Sequence, residues 1–270
     1  MADPVDDAAA PGTSTGPAAS ERLSPAQAAT LAAHSPVVVN PNGWRQFSAI
    51  LRKDLAMELR TGEMITSMGL YTLLTMVVYF IALQAAGTSF DFVPLAPGLL
   101  WVSFIFMSLL GLNRSLVHEK DQGVIEALLL SPVDRPLIYF AKMIGNLVFM
   151  LIVEVLAIPV FYFLFLQGAT IDANFWMLAL AFIGGSIGIA GVGTLLATLT
   201  VNTKGQDFLL TVLMVPTMFP LLYGAVSATN VAFQSPDQLA KYWGSMAFVG
   251  GFDVIMLLAA FGLYEFVIGA

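Results

Sequence analysis

Large apolar residues fall into six long runs, roughly 64–86, 96–117, 136–166, 174–200, 207–227 and 244–268, with short polar stretches between them. Each run can reach the roughly 20 residues that cross about 30 Å of hydrocarbon. None alternates apolar and polar as a barrel strand does. A backbone in lipid has no water to bond with. The pattern therefore predicts an all-α integral membrane protein with six transmembrane helices. Ahead of the first run, Trp44, Phe47, Leu51, Leu55 and Leu59 recur at steps of three and four, while Arg45, Arg52, Lys53, Glu58 and Arg60 occupy other faces. This predicts an N-terminal amphipathic helix over 43–62, suited to the membrane interface. The fourth run contains Gly184, Gly185, Gly188, Gly191 and Gly193. That spacing fits close helix packing, with a conformational hinge as the other reading. Pro216 and Pro220 predict a kink in the fifth.

Composition sharpens this picture. The chain is 58% hydrophobic and 11% charged, against about 25% charged in a soluble domain. Residues 1–42 are rich in Ala, Pro, Ser, Thr and Gly, and their acidic start lacks the apolar core of a signal peptide. They are expected to form a disordered tail, leaving 43–270 as a six-helix transmembrane permease domain. The formal charge of −7 comes partly from that tail and partly from helix ends, so it points to no nucleic-acid partner. Basic residues give the orientation. With the amphipathic helix placed inside, Arg45, Arg52, Lys53, Arg60, Arg114, Lys120, Arg135, Lys142 and Lys204 are all cytoplasmic, and Lys241 is left outside in the connection 228–243. A multi-pass protein of the cytoplasmic (inner) membrane, with both termini in the cytoplasm, is expected.

The inventory of reactive groups is small. Cysteine is absent, and the two histidines are His34, in the tail, and His118, at the end of the second run. Thiol catalysis and thiolate metal sites are excluded. Catalytic residues, metal ligands and a directly bound cofactor are not expected. No Gly-x-x-x-x-Gly-Lys-Ser/Thr phosphate loop occurs, so ATP would have to be bound by a partner. Glu154 and Asp253 fall inside apolar spans, where ionisable groups are costly and face the bundle interior or a cavity. Each reads either as a gate or polar switch, or as an acid that fixes helix packing.

The most organised polar connection runs from His118 to Pro132. Gly123 permits a break, Val124, Ile125, Leu128 and Leu129 form a short apolar helical face beside Glu126, and Pro132 ends it. Such a cytoplasmic helix can dock in a groove of another protein or pack on its own bundle. The pattern Glu119, Gly123, Glu126, Leu128-Leu129-Leu130-Ser131-Pro132 with Lys142 resembles ABC-2-type permeases. With Leu95-Ala96-Pro97-Gly98-Leu99-Leu100-Trp101-Val102 and Leu112-Asn113-Arg114-Ser115, it looks like the CcmB, or haem exporter protein B, family. The resemblance implies an ABC transporter permease for cytochrome c maturation, acting by haem export or by ATP-driven release of a haem chaperone. It makes Glu119, Gly123, Val124, Ile125, Glu126, Leu128, Leu129 and Pro132 the ATPase-coupling residues. It also implies a CcmA-like ATPase and CcmC, CcmD and CcmE-like haem-handling partners, with haem as a transported or handled ligand. The alternative is an ABC-2 exporter of a lipid, polysaccharide or drug. A membrane scaffold that transports nothing is a third reading.

Overall fold

The structure is a computed structural model. It describes residues 43–85, 87, 93–121, 135–165, 174–200, 203–234 and 236–267, of which 116–121, 135, 207 and 264–267 are described as backbone only. The described residues form seven helices and no strand: α1 (Gly43–Thr61), α2 (Glu63–Ala85), α3 (Ala96–Asp121), α4 (Arg135–Phe165), α5 (Phe175–Thr200), α6 (Gln206–Gln234) and α7 (Leu239–Val267). The helices α2 to α7 are each long and apolar enough to cross a membrane. This is the six-span, all-helical architecture read from the sequence, preceded by the amphipathic helix.

The last two spans depart from the expected bounds. Helix α6 runs to Gln234 and α7 begins at Leu239, so most of the connection expected at 228–243 is helical. Helix α6 continues past the expected bound because one side of it there packs on protein, while Gln234, Asp237, Gln238 and Lys241 stay exposed. Ala228, Thr229, Val231 and Ala232 are buried, and the Ala232 carbonyl accepts the Asn174 N–H at 3.2 Å. Pro216 and Pro220 both lie inside α6, and Pro159 inside α4, without interrupting either helix.

Helix α5 is the centre of the bundle. It packs against α3, α4, α6 and α7, and residues on every side of it are buried. A helix enclosed in this way needs small side chains wherever a neighbour crosses closely, which is where its glycines stand. A Cβ on Gly185 would run into the ring of Trp101, one on Gly188 would meet Leu221 and Asp253, and one on Gly193 would meet Leu112. Gly184 and Gly191 face Met246 and Leu257, each at 3.1 Å from the added carbon. The glycines are thus contact points toward α3, α6 and α7, and close packing accounts for them.

By contrast, α2 is peripheral. Its buried residues are Met64, Met68, Thr72 and Met76, one per turn, while Leu70, Leu73, Leu74, Val78 and Ile81 are exposed. That outer face is as apolar as the inner one, as lipid requires.

Candidate functional site

The first and last residues of successive helices define two ends of the bundle. At one end α1 turns into α2. Gly62, with φ 65°, closes this turn: its N–H donates to the Glu58 carbonyl at 2.6 Å and its carbonyl accepts from Thr66 at 3.0 Å. The Glu58 carboxylate accepts the Ile65 N–H at 2.9 Å, capping α2. Arg114, near the end of α3, donates to the Glu63 carbonyl at 2.9 Å. The described parts of α3 and α4 that flank the connection 122–134 therefore lie at the α1 end.

At this end α1 is tied down along α4. Asp54 receives Lys142 at 3.0 Å and Lys53 at 3.0 Å. The Asp54 and Lys142 side chains are 14% and 11% exposed, so salt and water screen the pair less than a surface pair. Leu51 lies against Gly145 and Leu137 against Gly43. The amphipathic stripe is thereby divided. Phe47, Leu51 and Leu55 are half-buried on the bundle, while Trp44 and Leu59 stay exposed, 76% and 68%, on the side left for the membrane interface. Sequence reasoning placed Lys142 in the coupling signature but did not find its partner. Asp54 had no signal beyond its position on a polar face.

Of the coupling residues, Glu119 lies on the last turns of α3, described as backbone only. Gly123, Val124, Ile125, Glu126, Leu128, Leu129 and Pro132 lie outside the described residues. His118 is likewise described as backbone only, and His34 is outside.

The intramembrane acids come together around α5. Glu154, midway along α4, is 1% exposed, and its Oε1 accepts a hydrogen bond from Ser186 Oγ at 2.6 Å. Asp253, midway along α7, is 7% exposed, with Oδ1 against Gly188. Ser186 and Gly188 are two residues apart, which points them to roughly opposite sides of the helix. Two acids thus approach one turn of α5 from two neighbours. Glu154 Oε2 and Asp253 Oδ1 have no hydrogen-bond partner among the described residues. Neither spacing nor composition gave any sign of this shared turn, because α4 and α7 are far apart in sequence.

Further polar pairs fasten α5 and its neighbours. Tyr139 donates to the Gly191 carbonyl at 2.9 Å, Asn146 to Thr194 at 3.1 Å, and Tyr242 to the Met177 carbonyl at 2.7 Å. Trp101, part of the stretch that carries the family resemblance, donates through Nε1 to Thr229 at 2.9 Å and joins α3 to α6. Sequence reasoning passed over all of these except Trp101. The available signal was a polar atom inside an apolar span, which lipid leaves without a solvent partner.

Comparison with known proteins agrees with the sequence resemblance. The family model described as CcmB protein matches residues 45–267, which takes in nearly all of α1 and everything through the end of α7. Heme exporter protein B of Haemophilus influenzae is 27% identical over 177 residues, covering 65% of this chain and 75% of the relative. Heme exporter protein B of Bradyrhizobium diazoefficiens is 26% identical over 223 residues, covering 82% of this chain and 92% of the relative. That of Rhodobacter capsulatus is 27% identical over 179 residues, 66% of this chain and 79% of its own. With a match that spans the whole described bundle, the chain belongs to the CcmB family.

Proposed function

We propose that this chain is the membrane-spanning permease subunit of a haem-exporting ABC system for cytochrome c maturation, coupled to ATP hydrolysis on a separate subunit. The CcmB match over residues 45–267 carries this reading, together with relatives named heme exporter protein B. The geometry supports it. The coupling connection joins α3 to α4 at the end where α1 is locked to α4 through Lys142 and Asp54. A partner pressing on Glu119, Gly123, Val124, Ile125, Glu126, Leu128, Leu129 and Pro132 would therefore push on α3 and α4, and through α4 on α1. The adjoining helix α5 meets both α3 and α4.

In this reading ATP is bound by a CcmA-like subunit, the chain itself catalyses no reaction, and haem is a handled ligand. CcmC, CcmD and CcmE-like proteins are the further partners. Arg45, Arg52, Lys53, Arg60 and Lys204 are exposed at the α1 end, and Lys241 at the other. That distribution supports a cytoplasmic α1 end, both termini inside, and residence in the inner membrane. Residues 1–42 are then a tail outside the permease domain 43–270. Haem export and release of a loaded chaperone use the same coupling surface.

The test is copurification. The full chain, tagged and expressed with the ATPase of its system, is expected to retain that subunit, and Leu128→Asp to lose it while still inserting in the membrane. A charge without a partner in an apolar groove costs a few kcal/mol. Equal retention by Leu128→Asp would remove the docking role. Deleting the chain distinguishes the broader ABC-2 reading. Loss of haem attachment to c-type cytochromes supports the proposal. Intact cytochromes with a failure to export a lipid, polysaccharide or drug would support the other.

A further inference from the structure

A groove of about 590 Å³ lies along α6 and the start of α7, at the end of the bundle away from α1. Its walls change character along their length. Phe219, Leu222, Tyr223 and Val226 line the part deeper in the span, and Ser227, Asn230, Gln234, Gln238 and Lys241 line the part nearer the helix ends. Phe219 and Tyr223 are 63% and 75% exposed, so the apolar part opens sideways, where acyl chains lie.

The polar part is rich in donors and carries one charge. Lys241 is exposed and makes no ion pair among the described residues. Asp237, the nearest acid in sequence, is exposed and does not line the groove. Asn230 donates one amide hydrogen to the Pro94 carbonyl at 3.4 Å and Gln234 one to Asn230 Oδ1 at 2.5 Å, which leaves each amide a second hydrogen; the Ser227 hydroxyl accepts from Ser245 at 3.0 Å. Gln238 and Lys241 flank the N-terminus of α7, whose first N–H, that of Leu239, donates to the Asp237 carbonyl at 2.9 Å. One cation beside the remaining amide hydrogens, above an apolar strip that opens sideways, matches a phosphodiester joined to acyl chains.

We infer that this groove is a binding site for a glycerophospholipid with a net negative headgroup, held by Lys241 at its phosphate and by the Phe219–Val226 strip along its chains. The lipid is a bound structural partner of the α6–α7 end. Charge complementarity selects it over a zwitterionic lipid, whose own cation would meet Lys241. A protein partner would have to cover both the cation and the laterally open apolar strip.

The test uses the full chain in nanodiscs of phosphatidylcholine mixed with phosphatidylglycerol, with retained lipid counted by native mass spectrometry after release into detergent. Wild type is expected to retain phosphatidylglycerol in preference. Lys241→Gln is expected to reduce that preference about fivefold, the weight of one Lys beside an anionic lipid. Lys241→Arg should restore it. Lys204→Gln, at the opposite end, should leave it unchanged. Glycerol phosphate without acyl chains should compete poorly, and Phe219→Ala should weaken retention without loss of headgroup preference. Equal retention of both lipids by wild type, an unaltered preference in Lys241→Gln, or full competition by glycerol phosphate would each overturn the proposal. The first result would leave the groove to lipid of any headgroup, and the last to a free phosphate.

Discussion

At the scale of single residues, the glycines of α5 and the two buried acids set the strictest conditions. Trp101 is fully buried and pinned through Nε1 to Thr229, so its ring has nowhere to go. Gly185→Val is expected to lower thermal stability in detergent by about 1–3 kcal/mol, the usual cost of forcing extra carbons into a filled core. Gly69→Val, which meets open space on α2, should not. An equal melting temperature for both variants would show that α5 can shift away. Glu154 offers a second test. Glu154→Gln keeps an oxygen for Ser186 and should preserve folding, while Glu154→Lys puts a cation in the middle of the span and should destabilise the bundle strongly. If Glu154→Gln folds normally yet abolishes cytochrome c assembly, Glu154 acts as a polar switch. If assembly is also normal, its role is in packing.

Among elements, the joint between α1 and α4 is held by an ion pair whose energy can be measured. Lys142 and Asp54 lie 3.0 Å apart and are mostly shielded from solvent, so they should couple by about 1 kcal/mol or more, above the median for exposed pairs. A cycle of Asp54→Ala, Lys142→Ala and the double variant, read from thermal unfolding at low and high salt, measures it. Additive effects would mean that α1 is held by its apolar contacts alone. The sequence showed α1 as an amphipathic helix because Trp44, Phe47, Leu51, Leu55 and Leu59 recur at steps of three and four. It did not show that Phe47, Leu51 and Leu55 are half-buried along α4, since an apolar side chain looks the same facing lipid or protein.

At the scale of the whole molecule, the described residues hold six helices able to cross a membrane, and the test of their alternation is directional. The sequence has no cysteine, so single cysteines report cleanly. Lys204→Cys, in the turn before α6, and Lys241→Cys, just after it, are separated by one crossing. An impermeant maleimide added to intact cells is expected to label Lys241→Cys and spare Lys204→Cys. Labelling of both from outside would place α6 on one side of the membrane and undo the topology.

The sequence by itself determined the number of spans, the amphipathic helix, the direction of insertion expected from the bases, and the residues that carry the family resemblance. These are properties of apolar length and charge position, which lipid reads one segment at a time. The tertiary structure decided the rest. It made α5 central and α2 peripheral, turned the glycines into contact points for Trp101, Leu221 and Leu112, and brought Glu154 and Asp253 to one turn. It also extended α6 and α7 through residues that read as a polar connection. In water, the buried face of a helix is marked by its apolar side. In a bilayer both sides are apolar, so periodicity carries little information about which side meets protein, and only packing settles it.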